Sequence, residues 1–444
     1  MTDLTAHPLA DTALAGQITI PGDKSISHRS LMLGAVAIGT TRISGLLEGQ
    51  DVLATADAMR ALGAEITRNG PGDWTVRGVG IGGLQSPESV LDFGNAGTGS
   101  RLVMGLVAGH DITATFTGDA SLSHRPMDRI LTPVSACGAS YTAREDKFLP
   151  VTITGPRDAL PLEYTSPVAS AQIKSAVLLA GLNARGDTIV SEPKPSRDHT
   201  ENMLRRMGAE ISSKRDSDGR NVVTLTGQPV LKAIEIEVPG DPSSAAFSLV
   251  AALITEGSAV TLKNVGMKPL RAGLIDVLDS MGAAVIASNR RDQGGERVAD
   301  LLVQGGPLKG TVAPPENAAA MIDEYPILAV AAALAEGQTE LRGIEELRIK
   351  ESDRISVVVN GLRAAGIKVD EFDDGMVVHG TGGRPPKGGC TIDAENDHRI
   401  GMSFLVLGLA CQQPITITGA DTIATSYPGF VADMTALGAR IEEG

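Results

Sequence analysis

One short ending recurs six times along the chain: MRALGAEI (59–66), VSACGASY (134–141), LRRMGAEI (204–211), LDSMGAAV (278–285), LRAAGIKV (362–369) and MTALGARI (434–441). Its glycines, Gly63, Gly138, Gly208, Gly282, Gly366 and Gly438, lie 70 to 84 residues apart. Self-similarity at so long a period marks a repeated supersecondary unit. Each copy closes a segment of helical hydrophobic period and leads into an alternating stretch such as AEITR or IKVDEF. The glycine therefore predicts a helix stop followed by a strand. Upstream of each lies a second, more apolar helical segment: SLMLGAVAIG, RLVMGLVAG, SAVLLAGLN, FSLVAALITEG, ILAVAAALAEG and SFLVLGLAC. β-rich stretches such as TTRISGL, DTIVSEP and PITITGA follow them, which predicts six α/β units of alternating strands and helices.

Segments apolar on nearly all sides predict helices buried inside their domains, with the amphipathic helices and sheets packed around them. At 444 residues the chain exceeds the usual single core. The six units divide as three plus three, with the boundary near EIEVPGDPSS, residues 235 to 244. One Trp, four Tyr and seven Phe against 52 Gly leave the interior to Ala, Leu, Val and Ile, with close backbone approach.

Charge and cysteine usage narrow the function. Fifty-three acidic against 39 basic side chains give a formal charge of −14, which opposes nucleic acid and anionic membrane as partners. Neither is expected. Cys137, Cys390 and Cys411 are too scattered for a zinc knuckle and odd in number for a disulfide framework, as in a reducing compartment. The segment MTDLTAHPLADTALAG has no basic leader and no apolar run of the signal-peptide kind. No uncharged stretch reaches membrane-spanning length, so a cytoplasmic protein is expected.

Polar residues gather just before the buried helices: GDKSISHRS (22–30), GNAGTGSR (94–101), SPVASAQIK (166–174), PGDPSSAA (239–246), MIDEYP (321–326) and NDHRIG (396–401). A helix start offers unpaired N–H groups and partial positive charge, so these heads suit anions. Lys24, Arg29, Lys174 and Arg399 strengthen that field. The amphipathic helices open on SLSHRPMD, KPSRDHTE, KPLRAG and RIKESDR, which add Arg125, Arg197, Lys350 and Arg354. Arginine grips carboxylate or phosphate with two parallel hydrogen bonds, and lysine brings a compact charge to a reacting oxygen. A multiply anionic ligand follows.

Blander roles stand beside these. GNAGTGS lacks the lysine of a Walker loop. Ser243, Ser244 and Asp397 are as readily simple helix caps. His28, His124, His199 and His398 lack metal-ligand spacing, so no metal is expected. Asp323, Glu324, Glu351 and Asp353 either balance neighbouring cations or handle protons beside them.

GDKSISHR, FGNAGTGSR, HRPM, RIKESDR and DHRIGMSF, in that order along nearly the whole chain, resemble the motifs of the 5-enolpyruvylshikimate-3-phosphate synthase family of enolpyruvyl transferases. The resemblance implies a two-domain inside-out α/β barrel of six βαβαββ-type repeats, three per domain. Residues 21–236 would form one domain and 1–20 plus 237–444 the other, with the active site in the cleft between them. Lys24, Ser25, Arg29, Ser170, Gln172, Arg197, Asp323 and Lys350 would contact shikimate 3-phosphate. Phosphoenolpyruvate would be held by Lys24, Asn95, Gly97, Thr98, Arg125, Gln172, Arg354 and Arg399. The implied catalytic groups are Asp323 at the acceptor 5-hydroxyl, Glu351 at C3 of phosphoenolpyruvate and Lys24 on transferred charge. The implied protein is a monomer of aromatic amino-acid biosynthesis with no metal or organic cofactor.

Two positions bear on that resemblance. Many family members carry Lys in a K-T-F-P motif where this chain has ATSYPGF, with Thr425 at the Lys position. Gly97 remains Gly, so glyphosate is expected to compete with phosphoenolpyruvate. The UDP-N-acetylglucosamine enolpyruvyl transferases share the fold and chemistry. They have Lys-Asn where this chain has Lys24-Ser25, and a loop Cys where it has SLSHRPMD. A repeat-built module that binds anions without turnover is the other alternative, and it would not need paired acid/base carboxylates.

Overall fold

The six repeat glycines have backbones that only glycine adopts readily, with φ of 104° at Gly63, 98° at Gly138, 101° at Gly208, 83° at Gly282, 90° at Gly366 and 105° at Gly438. In five copies the residue after the glycine donates its N–H five residues back: Ala64 to Met59, Ala209 to Leu204, Ala283 to Leu278, Ile367 to Leu362 and Ala439 to Met434, at 2.9 to 3.1 Å. That bond defines the Schellman helix stop. Gly138 instead donates to Ser135 at 3.0 Å, behind the short helix Asp128–Ser135. Gly208→Ala isolates the backbone cost, because an added Cβ would meet Val230 O only at 3.6 Å. A loss of about 1–2 kcal/mol is expected from left-handed strain, measured by urea unfolding, with kcat unchanged.

This computed structural model describes residues 2–9 and 12–444; Met1, Ala10 and Asp11, part of the expected 1–20 segment, lie outside the described residues. Among the described residues, six four-stranded sheets share one strand order. In the second repeat, Leu91–Asp92 runs parallel to Thr113–Thr117. That strand is antiparallel to Phe148–Thr154, which is antiparallel to Ser140–Arg144. The third and fifth repeats complete the same order from their own consecutive residues.

The other three sheets each take one strand from far along the chain. Glu235–Glu237 lies parallel to Thr40–Ser44 and supplies the missing first strand of the first repeat. Ala15–Thr19 does the same for Ala259–Gly266 in the fourth. Leu4–His7 inserts between Ile415–Thr418 and Arg440–Glu443 in the sixth. The chain thus forms two compact units, Met1–Pro21 with Pro239–Gly444, and Gly22–Val238. These boundaries fall one and two residues beyond those implied by the resemblance.

Within each unit the small-residue helices are buried: Lys24–Ala35, Gly97–Ala108 and Ala171–Gly181 in one, Pro242–Leu253, Tyr325–Leu334 and His398–Leu409 in the other. Glycine lets them approach closely. A Cβ on Gly105 would come within 2.8 Å of Ala176 Cα, and one on Gly109 within 3.1 Å of Ala180 Cα. The scarcity of aromatic residues is thereby explained, since helices this close leave little room for rings. In the second unit Gly361 makes room for one ring, with Phe404 Cε1 2.7 Å from where a Cβ would stand.

Candidate active site

In the unit Gly22–Val238, the polar helix heads are bound to one another. Asp23 caps Lys24–Ala35 by accepting from Ile26 N at 2.9 Å. Lys24, at the first helical position, is ion-paired with Asp51 of the helix Gln50–Ala61. One turn on, Arg29 is buried and works as a strut. It donates to Ser25 O at 2.9 Å, Thr200 Oγ1 at 2.7 Å and Ser175 Oγ at 2.8 Å.

The head of Gly97–Ala108 has no side-chain cap; its first amide, Gly97 N, donates to Asn95 O at 2.7 Å, and a helix start leaves further first-turn N–H groups for another partner. Arg125, buried beside it, donates to Asn95 Oδ1 at 2.6 Å and Ser121 Oγ at 3.0 Å. Asn95 in turn donates to Asp119 at 2.7 Å. Gln172 joins the third head to the second: its Nε2 donates to Thr98 Oγ1 at 3.0 Å and its Oε1 accepts from Arg101 Nη1 at 3.0 Å. Ser170 caps Ala171–Gly181 and accepts from Arg129 at 3.3 Å. Arg197 is half-buried in the irregular segment before the helix His199–Arg206.

The second unit centres on Arg354, whose side chain is 2% exposed. Its Nε donates to Asp397 Oδ2 at 2.7 Å, its Nη2 to Glu351 Oε2 at 2.6 Å, and its Nη1 reaches Asp323 Oδ1 at 3.4 Å. Burial works against the guanidinium charge, but Asp397 and Glu351 outweigh it and hold the pKa above the ordinary range. Arg399 donates to Asp323 O at 3.2 Å and lies 3.7 Å from Glu324. Glu324 also accepts from Ser243. Asp241 caps the fourth head through Ser243 N and accepts from Arg271 at 2.7 Å. Lys350 is paired with Glu346 at 3.0 Å.

Asp323 and Glu351 thus share one guanidinium, each with a side chain 19% exposed. Such a group orients two carboxylates and holds fixed positive charge beside an anion. Arg348 braces the approach to Arg354 by bonding Asp353 at 2.8 Å and Asp373 O at 2.8 Å. Thr425 is buried. Its hydroxyl donates to Thr422 O at 2.6 Å and lies 3.3 Å from His398 Nδ1. Among the described residues, no cluster of His, Cys, Asp and Glu is arranged to hold a metal ion.

Three participants were missed from sequence. Asp51 partners Lys24 from another helix, and nothing near it in the chain signals this. Arg101 stands in the quoted GNAGTGSR, where its helical offset from Thr98 was the available clue. The position of Asp397 before its helix signals only a cap. It does cap His398–Leu409, accepting from Arg399 N at 2.9 Å, but the same carboxylate also holds Arg354.

A family model described as EPSP synthase (3-phosphoshikimate 1-carboxyvinyltransferase) matches residues 9–434. The 3-phosphoshikimate 1-carboxyvinyltransferase of Parvibaculum lavamentivorans is 59% identical over 438 residues, covering 99% of this chain and 96% of that protein. That of Paracoccus denitrificans is 55% identical, covering 99% of each. The EPSP synthase structure from Acinetobacter baumannii matches over 100% of both chains with TM-score 0.88 and 44% identity. The enolpyruvyl transferase NikO from Streptomyces tendae matches 100% of this chain and 99% of its own with TM-score 0.75 at 21% identity, a likeness of fold.

Proposed function

The chain belongs to the EPSP synthase family, and from that premise we propose how its two sets of side chains divide the work. The protein is an enzyme that transfers the enolpyruvyl group of phosphoenolpyruvate to shikimate 3-phosphate. The relatives' names do not favour a UDP-N-acetylglucosamine transferase or a binding module without turnover.

The two units act jointly in this proposal. From Gly22–Val238, Lys24, Ser25, Ser170, Gln172 and Arg197 hold shikimate 3-phosphate, with Arg29 fixing Ser25 from behind. Lys350 and Asp323 reach its hydroxyls. Lys24, Asn95, Gly97, Thr98, Arg125 and Gln172 meet phosphoenolpyruvate, joined by Arg354 and Arg399. The acceptor 5-hydroxyl gives up its proton to Asp323 and attacks C2 while Glu351 delivers a proton to C3. The tetrahedral intermediate then loses phosphate as the Glu351 carboxylate takes a proton back from C3. Lys24 stabilises the charge that moves. The observation that carries this assignment is the shared hold of Arg354 on Asp323 and Glu351.

The deciding experiment measures phosphate release from phosphoenolpyruvate with shikimate 3-phosphate and, in parallel, with UDP-N-acetylglucosamine. Release only with the former is expected; release with neither overturns the proposal. A cytoplasmic monomer completes the proposal; among the described residues, no single helix is long and apolar enough to cross a membrane. A dimer mass by light scattering would remove the monomer.

Gly97 tests the phosphoenolpyruvate side. A Cβ there would lie 2.9 Å from Arg125 Nη1 and 3.5 Å from Arg101 Nη1, so Arg125 must shift against its short bond to Asn95. Gly97→Ala is expected to raise KM for phosphoenolpyruvate about tenfold or more, since displacements of this kind cost up to about 100-fold. KM for shikimate 3-phosphate should change little. The unmutated enzyme should show competitive inhibition by glyphosate against phosphoenolpyruvate, and non-competitive kinetics would contradict it.

A further inference from the structure

Behind the head of Ala171–Gly181 lies a buried charge cluster for which the reaction chemistry has no use. The side chains of Lys174 and Glu192 are each 1% exposed and that of Glu201 is 4% exposed. Lys174 Nζ meets Glu192 Oε1 at 2.9 Å, Glu201 Oε1 at 2.8 Å and Ser196 O at 3.2 Å. Glu192 also accepts from Ser196 N at 3.1 Å, Ser196 Oγ at 2.6 Å and Asn221 Nδ2 at 2.9 Å. Burial disfavours the lysine charge, but Glu201 and Glu192 overcome it and hold the pKa above the ordinary range. Apolar residues of similar volume would serve stability as well as a buried ion cluster does. The question is therefore what these bonds hold in place.

They hold the segment that carries Arg197. Residues 193–198 form no helix or strand, yet Ser196, immediately before Arg197, is tied through its N, O and Oγ to Lys174 and Glu192. Lys174 itself bonds Ser170 O through its backbone N at 3.0 Å, on the helix that Ser170 and Gln172 head. Next to it, Ser175 and Thr200 are 2.8 Å apart through their hydroxyls, and Arg29 donates to both. These bonds lie along the helix headed by Ser170 and Gln172, and they reach Ser25 on one side and Ser196, next to Arg197, on the other.

Given the proposed roles of Arg197 and Ser170, we infer that Lys174 and Glu192 are positioning residues that set the distance between Arg197 and the Ser170–Gln172 helix head, matching it to the acceptor's phosphate. Neither touches substrate. Their effect falls on acceptor affinity and leaves the chemical step alone.

The test compares Glu192→Gln and Ser196→Ala with the unmutated enzyme, varying each substrate in turn and recording Tm. Glu192→Gln should raise KM for shikimate 3-phosphate about tenfold, with kcat and KM for phosphoenolpyruvate within about twofold. Ser196→Ala removes one bond to Glu192 and leaves the ion pair intact, so a smaller rise in the same constant is expected. It decides the matter if Glu192→Gln does not fold. A merely structural role would instead lower Tm and active fraction with both KM values unchanged, and that outcome overturns the inference. Arg197→Ala is measured in parallel. A raised KM for shikimate 3-phosphate there, with none in the other two variants, defeats the positioning pair alone. No change in Arg197→Ala defeats the assignment of Arg197 and the inference with it.

Discussion

Glu351→Gln is expected to lower kcat by about 10²–10⁴-fold, the range for loss of a general acid or base, while both KM values stay within a small factor. The amide keeps an oxygen where Glu351 now accepts from Arg354 Nη2 at 2.6 Å, so the arginine need not move. It cannot deliver a proton at C3. Single-turnover quenching with both substrates bound separates the two effects: binding should proceed and phosphate release should stall. Undiminished turnover would remove Glu351 from the mechanism. Asp323→Asn is the natural companion, expected to slow attack by the 5-hydroxyl.

Arg354→Met should be more damaging, because it acts on stability and on binding at once. The residue is 2% exposed and Asp397 is 0% exposed, so deleting the cation leaves a fully buried carboxylate uncompensated. Breaking a buried pair in this way costs about 3–5 kcal/mol, readable by urea unfolding. Affinity for phosphoenolpyruvate should fall with it, since the forked guanidinium is lost. Arg354→Lys distinguishes charge from shape. Arg354 holds Asp397 by two nitrogens, Nε at 2.7 Å and Nη2 at 3.3 Å, a grip that a lysine cannot reproduce. Lysine should therefore recover much of the stability and little of the affinity. Equal recovery of both would mean that only net charge matters there.

Particular residues show how far the sequence could be read. The glycine in each ending announces its helix stop because the stop depends on local backbone conformation, and all six glycines have positive φ. The helix-head positions of Lys24, Arg354 and Arg399 were legible from the family's motifs, whereas Arg125 closes the short helix Ala120–His124 instead of opening one. Arg29 was legible as a residue but not as a strut, since its role depends on Ser175 and Thr200, 146 and 171 residues away. Thr425 was legible as a departure from the family; that its hydroxyl turns onto Thr422 O was not.

By itself the sequence determined the six repeats, the two kinds of helix, the polar residues at the helix heads and, through five ordered motifs, the family. All of these rest on capping, periodicity and short motifs, whose physics is contained within a few consecutive residues. Only the tertiary structure decided which distant strand completes each sheet, as when Leu4–His7 closes the sheet of residues 415–443. It alone decided that Asp51 would partner Lys24, that Asp397 would hold Arg354, and that Lys174 and Glu192 would tether Arg197's segment. Those choices are made by backbone pairing and by charges that must find partners once burial has stripped their water, and the partners lie far along the chain.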